Sequence, residues 1–360
     1  MPLIPISKVS ISSPHNFPNL PNPQEKSAMD REQEEIQFLG FFGILQESCN
    51  IVSSWKKIFA QITVALIIPL SFIYLAHIEI SELLFTKIMH NEFILDQTPE
   101  GTSSYDRLNA LLSSELTTFF LFKLGYFLFF IVLALLSTSA VVYTVACIYT
   151  SRDLSLPTVV SVVPRVWKRL MVTFIWNFVI VFAYNVVSLV VLIVGAILLG
   201  QIDIIGPLFL IAFAAAYLIG FLYITIIWHV ATVVSVLEES YGINAMTKSQ
   251  DLIKGKMGVA FAVFMVIGVC FFAIQLMFEM LVVQGEGGVA DRVGYGIVCL
   301  VLLSVLMLFG LIAQTIIYFV CKSYHHQNID KSLLADHLGA YLGEYVPLKA
   351  ADVQLHHFQP

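Results

Sequence analysis

Two charged side chains stand inside runs that are otherwise apolar: Lys123 in FFLFKLGYFLFF and Glu279 in AIQLMFEMLVV. An ionised group in hydrocarbon is costly enough to need a partner or a route to water. Two arrangements meet that need. Lys123 can pair with Glu279 inside a bundle, with Gln275 on the face of Glu279 and Tyr126 near Lys123, or each can snorkel separately to the nearer interface. A second constellation is the polar stripe Thr173, Asn177, Tyr184 and Ser188, spaced four, seven and four residues apart, with Asn185 beside it. A later segment offers Tyr217, Thr225, His229 and Thr232 to face it. Interhelical hydrogen bonding accounts for such a pairing, and so does a pocket for a solute or a lipid headgroup. His229 has the chemistry to titrate near neutral pH or to sit as a satisfied packing residue.

Outside the apolar runs, Glu238-Glu239 precede Lys248, Lys254 and Lys256 and are suited to ion pairs across to Arg165, Lys168 or Arg169. The same cations are equally suited to anionic lipid. His325-His326 and His337 have no carboxylate or cysteine cluster to complete a metal set, so they are read as solvated and no metal is expected. The five cysteines show no Cys-x-x-Cys spacing and imply neither a disulfide framework nor a zinc site; Cys49 and Cys321 lie beside membrane ends, open to acylation or idle. No phosphate-binding glycine loop, no His-Glu-x-x-His and no nucleophile with a placed base occurs, so neither enzyme activity nor a cofactor is expected. Nucleic-acid binding is not expected either, since basic residues interleaved with aromatics are confined to segments that approach the membrane.

The elements that must carry these groups are membrane helices. Of 360 residues, 58% are hydrophobic and only 12% charged, half the roughly 25% charged content of soluble domains. One unit recurs three times: a short polar or basic approach followed by a long apolar run, at Ile51–Ile68, Val162–Val191 and Gln250–Gly268. Trp55, Lys56 and Lys57 anchor the first at the headgroup level, Trp167, Lys168 and Arg169 the second, and Lys254 and Lys256 the third. Each approach reads as an amphipathic helix lying on the membrane; in the first, Phe41, Ile44, Leu45, Ile51 and Val52 recur at helical spacings.

In chain order, residues 1–38 hold six of the thirteen prolines and a polar run, and are expected to be a disordered cytosolic tail. They contain no uninterrupted apolar core of signal-peptide type, so the first membrane helix is expected to direct insertion. A six-helix transmembrane domain is expected over residues 39–323, with helices near 58–78, 116–150, 167–199, 208–237, 257–283 and 294–321, and a cytosolic tail over 324–360. Pro69 is expected to kink the first helix and Pro164 to break the second approach from its membrane span. Residues 79–115 read as a long acidic loop with a short helix near Glu82–Met89. Ala212, Ala216 and Gly220 form a ladder of small residues that lets a neighbouring helix come close. Fifteen of the 19 Lys and Arg fall in the terminal regions and the second and fourth connections, which places both termini in the cytosol.

The tail from Cys321 through Tyr324-His325-His326-Gln327-Asn328, on to Asp336-His337-Leu338 and Glu344-Tyr345-Val346-Pro347-Leu348-Lys349, resembles the ending of a plant-specific family of multi-pass membrane proteins. Its members are called "polyadenylate-binding protein 1-B-binding protein-like". The opening Phe38-Leu39-Gly40 to Trp55-Lys56-Lys57-Ile58 is similar too, so the likeness spans about residues 29–349. That family has no established biochemical activity. More distantly, Glu239-Ser240-Tyr241-Gly242 with Ala245, Ser249, Leu252 and Lys254-Gly255-Lys256 resembles a segment of bacterial YciC-like proteins and of the membrane domain accompanying some glycerophosphoryl diester phosphodiesterases. This implies a shared membrane architecture and no hydrolysis, because the phosphodiesterase's catalytic residues are absent.

The expectation is therefore an all-α integral membrane protein of six transmembrane helices in three hairpins, each preceded by an interfacial amphipathic helix. Its expected role is non-enzymatic: a membrane scaffold or lipid-interacting protein of the endoplasmic reticulum, another endomembrane or the plasma membrane. Its expected partners are membrane lipids and membrane proteins that dock on the cytosolic face. The alternative is a transporter or channel whose polar path runs between the third and fourth helices.

Overall fold

The computed structural model describes residues 38–99, 101–150, 156–199, 205–285 and 287–325. Of the two expected tails, only Phe38, Tyr324 and His325 fall among these. Regular structure in the described residues is entirely helical, in eight helices: α1 (Phe41–Ser54), α2 (Lys56–Asp96), α3 (Ser103–Tyr149), α4 (Leu156–Leu199), α5 (Ile205–Leu237), α6 (Ile243–Ile253), α7 (Met257–Val283) and α8 (Val289–Tyr324). Six of them, α2 to α5 with α7 and α8, are long and apolar enough to cross a membrane. This matches the number expected from hydropathy.

The segment 79–115 is not a loop. Helix α2 runs unbroken past the expected membrane edge to Asp96, α3 begins at Ser103, and only a short turn joins them. Their 41 and 47 residues correspond to about 60 and 70 Å at the α-helical rise, twice the thickness of a hydrocarbon core. Asn91 Nδ2 donates to Glu115 Oε2 at 2.7 Å across the pair. Acidic residues lowered the local hydropathy without breaking the helix, because most of them sit at exposed positions around the buried Ile88.

Both prolines are absorbed. Pro69 has no N–H to give Ala65, and the turn just before it, Thr63–Ile67, widens to a π-helix in which Ile68 N–H reaches back to Thr63 O. Pro164 sits inside α4, which continues from Leu156 to Leu199 where a break was expected. Val159, Val162, Val166 and Leu170 are buried at spacings of three, four and four through the proline, so packing holds the helix together across the missing hydrogen bond. The second approach is thus the first part of a long helix and not a separate element.

The core lies at one end of the bundle, where α1, α6, the start of α4 and the last turns of α3, α5 and α8 meet. Residues 139–147, 230–237 and 312–321 are buried on every side there. The two short helices complete this core. Helix α1 buries Ile44, Ser48 and Ile51 against α7 and α8, and α6 buries Ala245, Met246, Ser249, Leu252 and Ile253, chiefly against α5. Their apolar stripes, expected to lie on lipid, therefore face protein; besides polar residues, α1 leaves Phe42 exposed, and Phe38 is exposed just before it. At the far end only a small cluster forms, from Leu75, Phe278, Cys299 and Leu303. The distal halves of α4 and α5 contact little besides each other and expose Phe182, Ile197, Ile211 and Ile219, a surface suited to acyl chains.

Candidate functional site

Lys123 and Glu279 do not meet. Helix α2 lies between their helices: Tyr74 sets its ring 6.3 Å from Phe130 of α3 and 5.3 Å from Phe271 of α7. Each charge takes local partners instead. Lys123 Nζ lies 2.8 Å from His77 Nε2 and 2.9 Å from Ser81 Oγ, with the Phe119 ring centroid at 5.1 Å. Tyr126 is near Lys123 as expected, stacked on His77 with centroids 3.7 Å apart. Glu279 Oε1 accepts from Gln284 Nε2 at 3.1 Å, within a π-helical turn at the end of α7. Gln275 accepts from the Tyr74 hydroxyl at 3.1 Å.

The polar stripe of α4 is engaged along α5. Near the packed end, the Thr173 and Ser235 hydroxyls lie 2.7 Å apart, and Gly242 N–H donates to Thr173 Oγ1 at 2.8 Å. Further out, Tyr184 hydroxyl donates to Tyr217 O at 2.8 Å, and Tyr217 hydroxyl donates to Asn185 Oδ1 at 2.9 Å. Gly220 makes room for this exchange: a Cβ there would lie 2.5 Å from the Tyr184 hydroxyl. The ladder of small residues is used only in part, since Ala212 and Ala216 remain exposed. Asn177 presents a buried Oδ1 without a hydrogen-bond partner.

His229 faces away from α4. It lies twelve residues beyond Tyr217, which at 100° per residue turns it about 120° around the helix. Its Nδ1 lies 2.9 Å from Gln314 Oε1 on α8, and its ring stacks on Phe264 of α7 at 4.7 Å. An amide oxygen only accepts, so Nδ1 carries the proton. Thr225 and Thr232 bond back to carbonyls of their own helix, Phe221 and His229.

Glu238, directly after α5, gathers the strongest electrostatic contacts. Oε1 accepts from Tyr318 hydroxyl at 2.6 Å and from Lys322 Nζ at 2.8 Å, while Lys248 pairs with Oε2 at 2.5 Å. Burial alone would raise the carboxyl's pKa; Lys322 first, then hydrogen bonds from Lys248, Lys322 and Tyr318, outweigh it and hold the group below its ordinary value. The sequence pointed to Glu238 and Lys248, but Tyr318 and Lys322 were missed. A cation in the last turn of the final helix was the available signal. Glu239 is exposed.

The proposed interfacial anchors divide by environment. Trp55, Lys56, Lys57 and Lys168 are exposed, Arg169 is half-buried, and Trp167 is half-buried with its indole N–H unpaired. Lys254 bonds Asp251 at 2.7 Å, which raises its pKa, and Lys256 lies 5.3 Å over the Tyr324 ring. His325, read as solvated, has Nε2 at 3.0 and 2.9 Å from the carbonyls of Leu252 and Lys254 and so closes the end of α6; His326 and His337 lie outside the described residues. A contact between distant parts of the chain also escaped the sequence reading: Arg292 pairs with Glu79 at 2.9 Å and donates to Val282 O.

No curated protein and no solved structure matches the chain. One family does, over residues 29–358, and it covers all the described helices. The chain therefore belongs to the family described as "Domain of unknown function (DUF8558)".

Proposed function

We propose that this chain is a non-enzymatic membrane scaffold or lipid-interacting protein of the endomembrane system or plasma membrane, built as three membrane hairpins with both termini in the cytosol. The observation that carries this reading is the use of the polar side chains of α4 and α5. Thr173, Tyr184, Asn185, Tyr217 and Ser235 are tied to one another or to the backbone, in the manner of helices glued together rather than of a lined path. Orientation rests on the fifteen cations that the sequence gathers in the terminal regions and the second and fourth connections. Exposed Phe38 and Phe42, close in sequence to Trp55, Lys56 and Lys57, support contact of that end with the cytosolic leaflet, and its remaining surface is where protein partners would dock. The likeness of the tail to a plant multi-pass family supports an endomembrane setting.

Cysteine accessibility tests the reading. In a background without native cysteines, Asn177→Cys and His229→Cys should react with a membrane-impermeant maleimide far more slowly than Asn244→Cys at the surface. Labelling of either interior position at the surface rate would favour the transporter instead. An N-glycosylation acceptor placed in the turn between α2 and α3 should be modified; modification of the carboxyl tail in its place would reverse the topology.

A further inference from the structure

We propose that Lys123, Ser81 and His77 form a phosphate-binding site for one glycerophospholipid of the leaflet at the far end of the bundle. This rests on the reading of the chain as lipid-interacting and gives it a residue-level site.

An ammonium has three N–H donors and no acceptor. Since Lys123 only donates, His77 Nε2 must accept at 2.8 Å, which makes His77 neutral with its proton on Nδ1. Ser81 Oγ, at 2.9 Å, is neutral as well. Both partners orient the charge and neither cancels it. Among the described residues the surrounding carboxylates are held elsewhere or out of reach. Glu79 is committed to Arg292 on the opposite side of α2 from His77 and Ser81, Glu115 is bonded by Asn91, and no ion pair joins Glu82 to Lys123. A cation fixed by two helices, without a counterion in the protein, is a site for an anion from outside.

The donors fit a phosphodiester. One Lys123 N–H is left after His77 and Ser81, and the Ser81 hydroxyl, having accepted from Lys123, keeps its own hydrogen to give. Two convergent donors, one of them charged, match the non-bridging oxygens of a phosphate. The depth fits too, because the ion pair of Glu79 with Arg292 sits one turn or less along α2, marking the edge of the hydrocarbon. The wall is aromatic: His77 lies parallel to Phe122 at 6.0 Å and to Tyr126 at 3.7 Å. Beside it Phe120, Leu121 and Leu124 are exposed, offering a flank for acyl chains that inorganic phosphate would not use.

The test is native mass spectrometry of protein taken from vesicles of phosphatidylcholine and phosphatidylglycerol, with wild type, Lys123→Gln, Lys123→Arg, Ser81→Ala and the surface control Lys87→Gln. Wild type and Lys87→Gln should retain one phospholipid that Lys123→Gln loses by about tenfold or more, about 1.4 kcal/mol in binding. Lys123→Arg should keep much of it, and Ser81→Ala should weaken it even if Lys123→Gln fails to fold. Equal retention by wild type, Lys123→Gln and Ser81→Ala overturns the site. Displacement of the adduct by millimolar inorganic phosphate, or a phosphate adduct formed without lipid, overturns the lipid as its source. Lipid retained by wild type with no dependence on Lys123 sinks this site alone, whereas a wild type that retains no lipid sinks the lipid-interacting reading with it.

Discussion

Thr173 on α4 accepts the backbone N–H of Gly242 at 2.8 Å while its hydroxyl lies 2.7 Å from that of Ser235, so one side chain ties the α5–α6 turn to two helices. Thr173→Val keeps the shape and removes the acceptor from a fully buried position. It should lower stability by about 1–3 kcal/mol, the cost of a buried donor left unpaired. Ser235→Ala, which strands no backbone group, should cost less. Thermal unfolding in detergent would compare them, and equal losses would mean that the Gly242 bond contributes nothing.

Gly242 itself has φ +65°, and an added Cβ would lie 3.0 Å from Trp176 Cδ1. Gly242→Ala should therefore destabilise by about 1–3 kcal/mol through backbone strain. The companion variant Trp176→Ala, Gly242→Ala should recover little, because the positive φ remains. Recovery to wild-type stability would assign the whole effect to the contact with Trp176.

Glu238 predicts a pH dependence. Its carboxyl sits below its ordinary value of 4.5 in the folded protein, so folding favours the ionised form. The contribution is complete above the unfolded value and disappears as the pH falls through the lower folded value. Glu238→Gln should cost about 3 kcal/mol at pH 7, since Lys322 and Lys248 lose a partner of which only 12% is exposed. The gap between wild type and variant in denaturant midpoint should narrow in acid below pH 4.5. A gap constant from about pH 7 down to about pH 3, across the range of carboxylate titration, would be incompatible with this cluster.

His229 and Gln314 should behave as one unit. Either His229→Leu or Gln314→Leu leaves a polar group inside the bundle without its partner, while the double variant removes both. A coupling of about 1 kcal/mol is expected from a double-mutant cycle, with the double variant less destabilised than the sum. Strict additivity would mean that the 2.9 Å contact is energetically idle.

The polar residues show where the sequence was legible. Thr173 and Tyr184 share a face by spacings of four and seven, and two helices joined by a short turn must pack together, so the sequence set them against Tyr217 on the next helix while leaving open whether they bond across or line a pocket. Lys123 was found because a lone charge in FFLFKLGYFLFF stands out, yet its partner His77 was not. Hydropathy places α2, α3 and α7 at the same depth without stating their order around the bundle, and the ring of Tyr74 shows α2 between the other two. His229 was assigned to the wrong neighbour because sharing a helix with Tyr217 does not mean sharing its face. The apolar stripes of α1 and α6 were expected on lipid and face protein, because an apolar stripe does not distinguish the two, both being equally good refuges from water.

Six runs long and apolar enough to cross a membrane, and the gathering of positive charge in the terminal regions and alternate connections, follow from the sequence by itself, because each is a sum over single residues of their preference for hydrocarbon or water. The tertiary structure decided the rest. It set Lys123 against His77, drew Tyr318 and Lys322 onto Glu238 from 80 and 84 residues away, and turned the short helices inward, because a partner's identity depends on how helices are ordered and rotated about one another.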